Sequence, residues 1–155
     1  MRDHAGVFVP PPLLFALPLL GAILLHSRRP WPIAEGGSAT LVIGGFAAIG
    51  GAIALVLASI ATFRQAETTI LPAGRPTTAI VERGPYRLTR NPMYLSMALA
   101  YLGASTALNN FWAIVFLPAI LIVVDVFVIR REERYLASKF GQAYRDYCSR
   151  VRRWL

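Results

Sequence analysis

Residues 91–129 read NPMYLSMALAYLGASTALNNFWAIVFLPAILIVVDVFVI, and the only charged side chain among them is Asp125. An apolar stretch of about 20 residues is long enough to cross a bilayer as a helix, so this stretch is too long for one crossing. The pair Asn109-Asn110 divides it, and aromatic residues that favour a membrane interface follow directly. The stretch therefore predicts a helical hairpin with spans at about 92–108 and 111–129.

Two further apolar stretches precede this hairpin. The segment at about 39–63 carries no charge, and the segment at about 7–25 is uncharged but contains four prolines, so its regular helix is expected from about residue 13. The chain is 55% hydrophobic and only 15% charged, whereas a soluble domain is roughly 25% charged. We therefore predict an all-α integral membrane protein, a single membrane domain over residues 1–155 with about four transmembrane helices.

The basic residues are unevenly distributed along the chain. With four spans, 14 of the 16 Lys and Arg residues lie on the side that holds both termini and the connection at 64–90. The positive-inside rule makes that side cytoplasmic. The net charge of +8 would fit a nucleic-acid-binding protein only if a soluble basic face were present. A basic rim against anionic lipid is the better interpretation, so we expect the lipid bilayer as a partner and no nucleic acid; abundant Arg, Ala and Gly hint at a bacterial inner membrane.

Two polar segments flank the hairpin on this side. The connection 64–90 contains several Pro and Gly residues, so we expect an ordered cytoplasmic cap rather than one helix. Residues 131–153 have the pattern of an amphipathic helix that Gly141 interrupts. Such a helix is typical of the interface plane, and it would serve either as a membrane anchor or as a lid over a site.

Small residues recur at helical spacing in the span at about 39–63: Gly44, Ala48, Gly51 and Ala52. Small side chains in this pattern allow helices to approach closely in lipid. We expect this stripe to pack against another helix rather than to bind a ligand.

Several common catalytic patterns are missing from the sequence. His4 and His26 are isolated and Cys148 has no histidine neighbour, so no metal site is expected. No phosphate-binding glycine loop is present, and the glycine pairs never form the dinucleotide-binding fingerprint after a strand. These observations exclude a Rossmann-type cofactor domain.

Polar residues at the two ends of the hairpin remain as candidates for chemistry. Asn91 is a natural helix N-cap before Pro92, Arg87 and Arg90 could contact lipid phosphate, and Asp125 could pair with an arginine of the rim. Each of them has an ordinary structural explanation when it is considered alone. The full set is Tyr86, Arg87, Arg90, Asn91, Tyr94, Asp125, Arg130, Glu132 and Glu133.

Taken together, these clusters resemble the integral-membrane methyltransferases that include isoprenylcysteine carboxyl methyltransferase and the phospholipid N-methyltransferases. The resemblance covers roughly residues 70–153, and its motifs occur in the family's order. The family has a histidine where this chain has Asn91, and asparagine can form hydrogen bonds but cannot take up a proton near neutral pH. The motifs read Gly84-Pro85-Tyr86, Arg90-Asn91-Pro92-Met93-Tyr94, Glu132-Glu133 and Phe140-Gly141-Gln142-Ala143-Tyr144-Arg145-Asp146-Tyr147.

The resemblance implies methyl transfer from S-adenosyl-L-methionine to a lipophilic or amphipathic acceptor at the cytoplasmic interface. It implies that Glu133 faces the ammonium and sulfonium groups of the cofactor, that the helix start at Pro92 faces its carboxylate, and that Arg130 faces the acceptor. An acceptor that is already anionic would be held by Arg87, Arg90 or Arg130, which together with Glu133 are the expected catalytic residues. The expected cofactor-binding residues are Thr78, Ala79, Ile80, Val81, Tyr86, Asn91, Pro92, Met93, Tyr94, Glu132 and Glu133.

Three alternatives stay open at this stage. The acceptor could be a phospholipid amine, a prenyl-cysteine carboxylate or a small thiol. A membrane sterol reductase shares a similar C-terminal pattern, but it binds a nicotinamide cofactor and is a much longer protein. A non-enzymatic membrane scaffold would use the basic rim to bind anionic lipid, and neutral substitution of Tyr86, Tyr94 and Glu133 would favour it.

Overall fold

The computed structural model describes residues 10–65 and 80–155, and all regular secondary structure within these residues is helical. Three helices are long and apolar enough to cross a membrane: Pro11–Arg28, Ala39–Gln65 and Phe111–Phe140. The predicted all-α integral membrane fold is therefore confirmed. The elements are α1 (Pro11–Arg28), α2 (Ala39–Gln65), a 3-10 helix (Gly84–Arg87), α3 (Pro92–Ala107), α4 (Phe111–Val124), a π-helical turn (Asp125–Ile129), α5 (Arg130–Phe140) and α6 (Gln142–Arg150).

The observed helices differ from the predicted spans at several ends. α1 begins at Pro11 rather than near residue 13, because proline is tolerated in the first turn of a helix. α3 has 16 residues, which is shorter than the roughly 20 that cross the hydrocarbon core. A fourth crossing by α3 therefore stays a prediction.

The helix that begins at Phe111 continues past Ile129 as far as Phe140, for a total of 30 residues. No proline or glycine follows Pro118 within it, and α5 is rich in strong helix formers, so nothing ends the helix at the membrane edge. Gly141 ends it instead, with φ +57, a conformation that glycine adopts without strain. The amphipathic region predicted over 131–153 is thus the end of this long helix, followed after the expected interruption at Gly141 by the separate α6.

The described chain divides into two compact units. Among the described residues, the apolar unit comprises 10–54 and Tyr94–Val124, and the polar unit comprises 55–65, 80–93 and Asp125–Leu155. The apolar unit contains α1, α4, the part of α2 up to Ala54 and the part of α3 from Tyr94 onward. The polar unit contains the π-helical turn, α5, α6 and most of the residues singled out from the sequence.

Small residues bring α2 and α3 close together within the apolar unit. Gly44, which belongs to the expected stripe, is exposed and has no neighbour within 4 Å of the position that a Cβ would occupy. Gly45 is buried instead, against the backbone of Gly103 and Ala107. The choice of Gly44 was therefore wrong by one position, because spacing alone does not decide which of two neighbouring glycines faces inward.

Two asparagine side chains hold the turn between α3 and α4. Asn109 accepts hydrogen bonds from the backbone N–H groups of Ile33 (2.9 Å) and Ala34 (3.0 Å) and donates one to the Ala34 carbonyl (2.8 Å). Asn110 donates to the carbonyl of Ala22 (3.1 Å). The pair that predicted a break in the apolar stretch therefore also ties α1 and the connection that follows it to this turn.

Candidate functional site

An open cavity of about 560 Å³ lies within the polar unit. Its volume falls in the range of about 300–1,000 Å³ that is typical of small-molecule sites. The lining comes from the π-helical turn, one face of α5, α6 and the segment after α6. The lining residues are Val126, Arg130, Glu133, Arg134, Ala137, Tyr144, Arg145, Cys148 and Arg153.

The carboxylate of Glu133, one of the predicted site residues on this lining, is held by two arginines. Arg153 donates from Nε to Oε1 (3.0 Å) and from Nη2 to Oε2 (2.6 Å), which is the bidentate geometry of a strong ion pair. Nη2 of Arg90 lies 3.3 Å from Oε1. A carboxylate offers about four lone-pair sites, and three guanidinium nitrogens reach this one. Among the described residues, one acceptor position therefore has no protein donor and is available to a ligand donor such as an ammonium group.

Asp125 is the second carboxylate of this network. It accepts hydrogen bonds from Nε of Arg130 (2.9 Å) and from Nη1 of Arg153 (3.2 Å). Arg153 thus joins two acidic residues of the long helix, Asp125 and Glu133. The hydrogen bonds to Glu133, with the nearby charge of Asp125, raise the pKa of Arg153 above its ordinary value. The guanidinium is therefore charged at neutral pH.

The segment before α3 is tied to the segment after α6. Arg90 donates from its backbone N–H to the carbonyl of Arg152 (2.9 Å), and the carbonyl of Arg153 accepts from Asn91 Nδ2 (2.9 Å) and Thr89 Oγ1 (3.0 Å). The side-chain amide of Asn91, expected to contact a cofactor, is therefore engaged with the chain itself.

Arg90 is the innermost arginine of the site. Its Nη1 donates to the Cys148 sulfur, and its buried Nε has no hydrogen-bond partner within the described residues. A buried N–H of this kind is costly when it stays unpaired. This unpaired N–H is therefore a local cost of placing the guanidinium between Cys148 and Glu133.

Three tyrosines, Tyr86, Tyr144 and Tyr147, are buried in the polar unit. Tyr86 packs edge-to-face on Phe63 with ring centroids 5.1 Å apart, and its carbonyl accepts a hydrogen bond from the hydroxyl of Tyr147 (2.8 Å). Tyr144 lies on the cavity lining. Burial raises the pKa of Tyr86, Tyr144 and Tyr147. Their hydroxyls are therefore protonated at neutral pH.

Of the predicted site residues, the structure brings Arg130, Glu133, Arg90 and Asn91 into this network, and Tyr86 packs beside it. Arg87 is exposed on the 3-10 helix. Thr78 and Ala79 lie outside the described residues. Predicted residues that belong to the polar unit without lining the cavity are Ile80, Val81, Pro92, Met93 and Glu132, and Tyr94 is buried in the apolar unit.

Sequence reasoning missed several residues that line the cavity. Tyr144 and Cys148 are four positions apart and therefore share a face of α6, a signal that was available in the motif around Gly141. Arg153 had no local signal, because its partner Glu133 lies 20 positions earlier in the chain. The other missed residues are Val126, Arg134, Ala137 and Arg145.

Comparisons with known proteins indicate which family these features belong to. The model of a family described as phospholipid methyltransferase matches residues 40–143. An uncharacterized protein of Haemophilus influenzae is 46% identical over 63 residues, which are 41% of this chain and 100% of that protein. The cobalt-zinc-cadmium resistance protein CzcN of Cupriavidus metallidurans is 30% identical over 93 residues, which are 60% of this chain but only 43% of CzcN. No solved structure gives a significant match.

Proposed function

The chain belongs to the phospholipid methyltransferase family, and from this premise we propose that it transfers a methyl group from S-adenosyl-L-methionine to an amphipathic acceptor at the cavity of the polar unit. The observation that carries this proposal is the carboxylate of Glu133, which lies on the cavity lining and is reached by three guanidinium nitrogens, and by no fourth donor, among the described residues. The basic residues of the polar unit support a cytoplasmic location for it, by the positive-inside rule, and the bacterial relatives support a bacterial inner membrane.

The residues of the cavity suit this cofactor. When bound, S-adenosyl-L-methionine supplies a methyl group activated by its sulfonium charge. Glu133 offers a carboxylate for the ammonium and sulfonium groups, and it lies on the same lining as Tyr144. The volume of about 560 Å³ is sufficient for a ligand of this size.

The charge of the cavity favours an acceptor that carries an anionic group. Four arginines and a single carboxylate line it, whereas the cofactor itself has a net positive charge. Nε of Arg134 donates to the carbonyl of Arg130 (3.2 Å) and Nε of Arg145 donates to Gln142 (2.9 Å), and neither guanidinium pairs with a carboxylate in the described residues. Guanidinium forks match the geometry of phosphate and carboxylate groups. We therefore propose that Arg134 and Arg145 hold the anionic group of the acceptor.

The chain's contribution to the reaction is mainly positional. Methyl transfer by in-line displacement needs two reactants held in one orientation and shielded from water. An amine acceptor must first lose a proton, and Asn91, in the place of the family's histidine, cannot take it up near neutral pH. A nucleophile that is already anionic, such as a carboxylate or thiolate, needs only to be oriented. The residues present therefore favour such a nucleophile over an ammonium group.

Calorimetric titration of S-adenosyl-L-methionine into the detergent-purified protein tests this function. The wild type is expected to bind in the micromolar range, equivalent to about −8 kcal/mol, and Glu133→Gln to bind at least about tenfold more weakly. Glu82→Gln is the matched control, because Glu82 forms an exposed ion pair with Arg150 (2.8 Å) and does not line the cavity. Absence of binding by the folded wild type would exclude the proposed function, and equal binding by Glu133→Gln would place the cofactor elsewhere.

A further inference from the structure

The π-helical turn brings two acidic residues to the same face of the long helix. Asp125 and Glu133 are eight positions apart, and eight positions of a regular α-helix differ by about 80° in direction. A π turn closes i→i+5 hydrogen bonds and so contains one extra residue. The angle around the helix axis between Asp125 and Glu133 is therefore close to that between positions seven apart, which is only about 20°. Both carboxylates can then meet one side chain, that of Arg153.

The backbone around Arg153 is fixed independently of its side chain. The carbonyls of Arg152 and Arg153 accept hydrogen bonds from Arg90, Asn91 and Thr89, at 2.9–3.0 Å. The guanidinium is then fixed at both ends, with two hydrogen bonds to Glu133 and a third to Asp125. Such a side chain has little freedom left to rotate.

We propose that Arg153 is a positioning residue that fixes the carboxylate of Glu133 in the cavity, and that Asp125 in turn fixes Arg153. The bidentate contact sets the plane of the Glu133 carboxylate, and the bond to Asp125 prevents the arginine from following Glu133 into other rotamers. A carboxylate held in this way binds a cationic ligand without first losing side-chain freedom. The inference rests on the proposed function, because it assumes that Glu133 faces the cofactor.

Cofactor affinity in a double-mutant cycle tests whether Arg153 acts through Glu133. Arg153→Gln is expected to weaken S-adenosyl-L-methionine binding by about tenfold to 100-fold. The same substitution made in Glu133→Gln should cause less than about a twofold further loss, since residues that act as a unit are not additive. Arg153→Lys keeps the charge but not the fork, so only a partial recovery is expected. Arg150→Gln, on the same segment but paired with Glu82 outside the cavity, should bind as the wild type does.

A second measurement does not depend on the cofactor. In the wild type the three guanidinium contacts shield Glu133 from amide coupling by a water-soluble carbodiimide, and Arg153→Gln should raise its labelling several-fold, as read by mass spectrometry. Melting temperatures of Arg153→Gln and Arg150→Gln in the same detergent show whether the fold is retained. Arg153→Lys replaces Arg153→Gln in both measurements if the glutamine variant does not fold.

The possible outcomes separate the two proposals. Wild-type affinity in Arg153→Gln, or losses that add fully to those of Glu133→Gln, would overturn the positioning role while leaving the proposed function intact. A folded wild type that binds no cofactor would exclude the proposed function, and the labelling would then decide the positioning role alone. Unchanged labelling of Glu133 in a folded Arg153 variant would overturn it.

Discussion

Gly45 and Gly103 face each other where α2 and α3 cross in the apolar unit. A methyl group on Gly45 would lie 2.6 Å from the carbonyl oxygen of Gly103, and one on Gly103 would lie 2.7 Å from the carbonyl oxygen of Gly45. These atoms belong to rigid backbone, so neither helix can accommodate a larger side chain without moving away. Helices in lipid associate largely through such close packing. Lipid chains are as apolar as the helices' own side chains, so the hydrophobic effect does not drive the helices together.

Gly45→Ala is therefore expected to destabilise the protein by about 1–3 kcal/mol, the usual cost of overpacking. Gly44→Ala is the matched control, because nothing lies within 4 Å of its Cβ position. Alanine is the better helix former by up to about 1 kcal/mol, so this control should melt at the wild-type temperature or above. Thermal unfolding in one detergent compares the two variants. Equal melting temperatures would contradict the crossing described here.

A second prediction concerns the hydroxyl of Tyr147, which donates to the carbonyl of Tyr86 at 2.8 Å in a buried environment. Tyr147→Phe leaves that carbonyl buried without this partner, which costs about 1–3 kcal/mol. Tyr135→Phe removes a hydroxyl that accepts from Lys139 at an exposed position, so its effect should be much smaller. The two melting temperatures, measured side by side, check the difference. A Tyr147→Phe variant as stable as Tyr135→Phe would argue against the buried bond.

The buried tyrosines also predict how stability depends on pH. Burial raises the pKa of Tyr86, Tyr144 and Tyr147, whereas tyrosines of the unfolded chain ionise near about pH 10. Above that pH the unfolded state releases protons that the folded state retains. The stabilisation is therefore complete below about pH 10 and declines as the pH rises further, by about 1.4 kcal/mol per pH unit for each such group.

Unfolding temperatures between pH 9 and pH 11 measure this decline, and tyrosinate absorbance shows when the phenols ionise. Tyr147→Phe removes one of the three groups, so its melting temperature should decline less steeply than that of the wild type. The expected result is absorbance that rises together with unfolding. Full ionisation of all tyrosines in a protein that is still folded would refute the assignment.

Which features the sequence predicts depends on how far apart in the chain the residues that form each feature lie. The hairpin was predictable because 39 residues with a single charge have few alternatives, and Asn109-Asn110 marks its turn locally. That the helix continues unbroken from the predicted span to Phe140 was not predicted, because polarity marks the membrane edge whereas Gly141 marks the end of the helix. Glu133 was identified through a family motif. Arg153 was not, because its role depends on contacts with residues 20 and 28 positions away.

A further prediction separates the two roles of Asn109. Its φ of +50 lies in the left-handed region, and its side chain forms three hydrogen bonds with Ile33 and Ala34. Asn109→Gly loses the hydrogen bonds but suits the backbone. Asn109→Ala also loses the hydrogen bonds, and alanine is strained in the left-handed conformation. The alanine variant should therefore be less stable than the glycine variant by about 1–2 kcal/mol. Chemical denaturation of the pair measures that difference. An alanine variant as stable as the glycine variant would show that the left-handed conformation is not under strain.

The last prediction distinguishes the acceptor's residues from those of the cofactor. If Arg134 and Arg145 hold the anionic group of the acceptor, Arg134→Gln and Arg145→Gln should each raise the acceptor KM by about tenfold, in line with a lost charge-assisted hydrogen bond. Their affinity for S-adenosyl-L-methionine should stay unchanged, because Glu133 is retained in both. Phosphatidylethanolamine in mixed micelles and S-farnesylcysteine are suitable probes, since each carries an anionic group but they differ in the atom to be methylated. Arg152→Gln, exposed and outside the cavity, is the control. A weaker cofactor affinity in the Arg134 and Arg145 variants would instead assign these arginines to the cofactor, and wild-type KM values would remove them from the site.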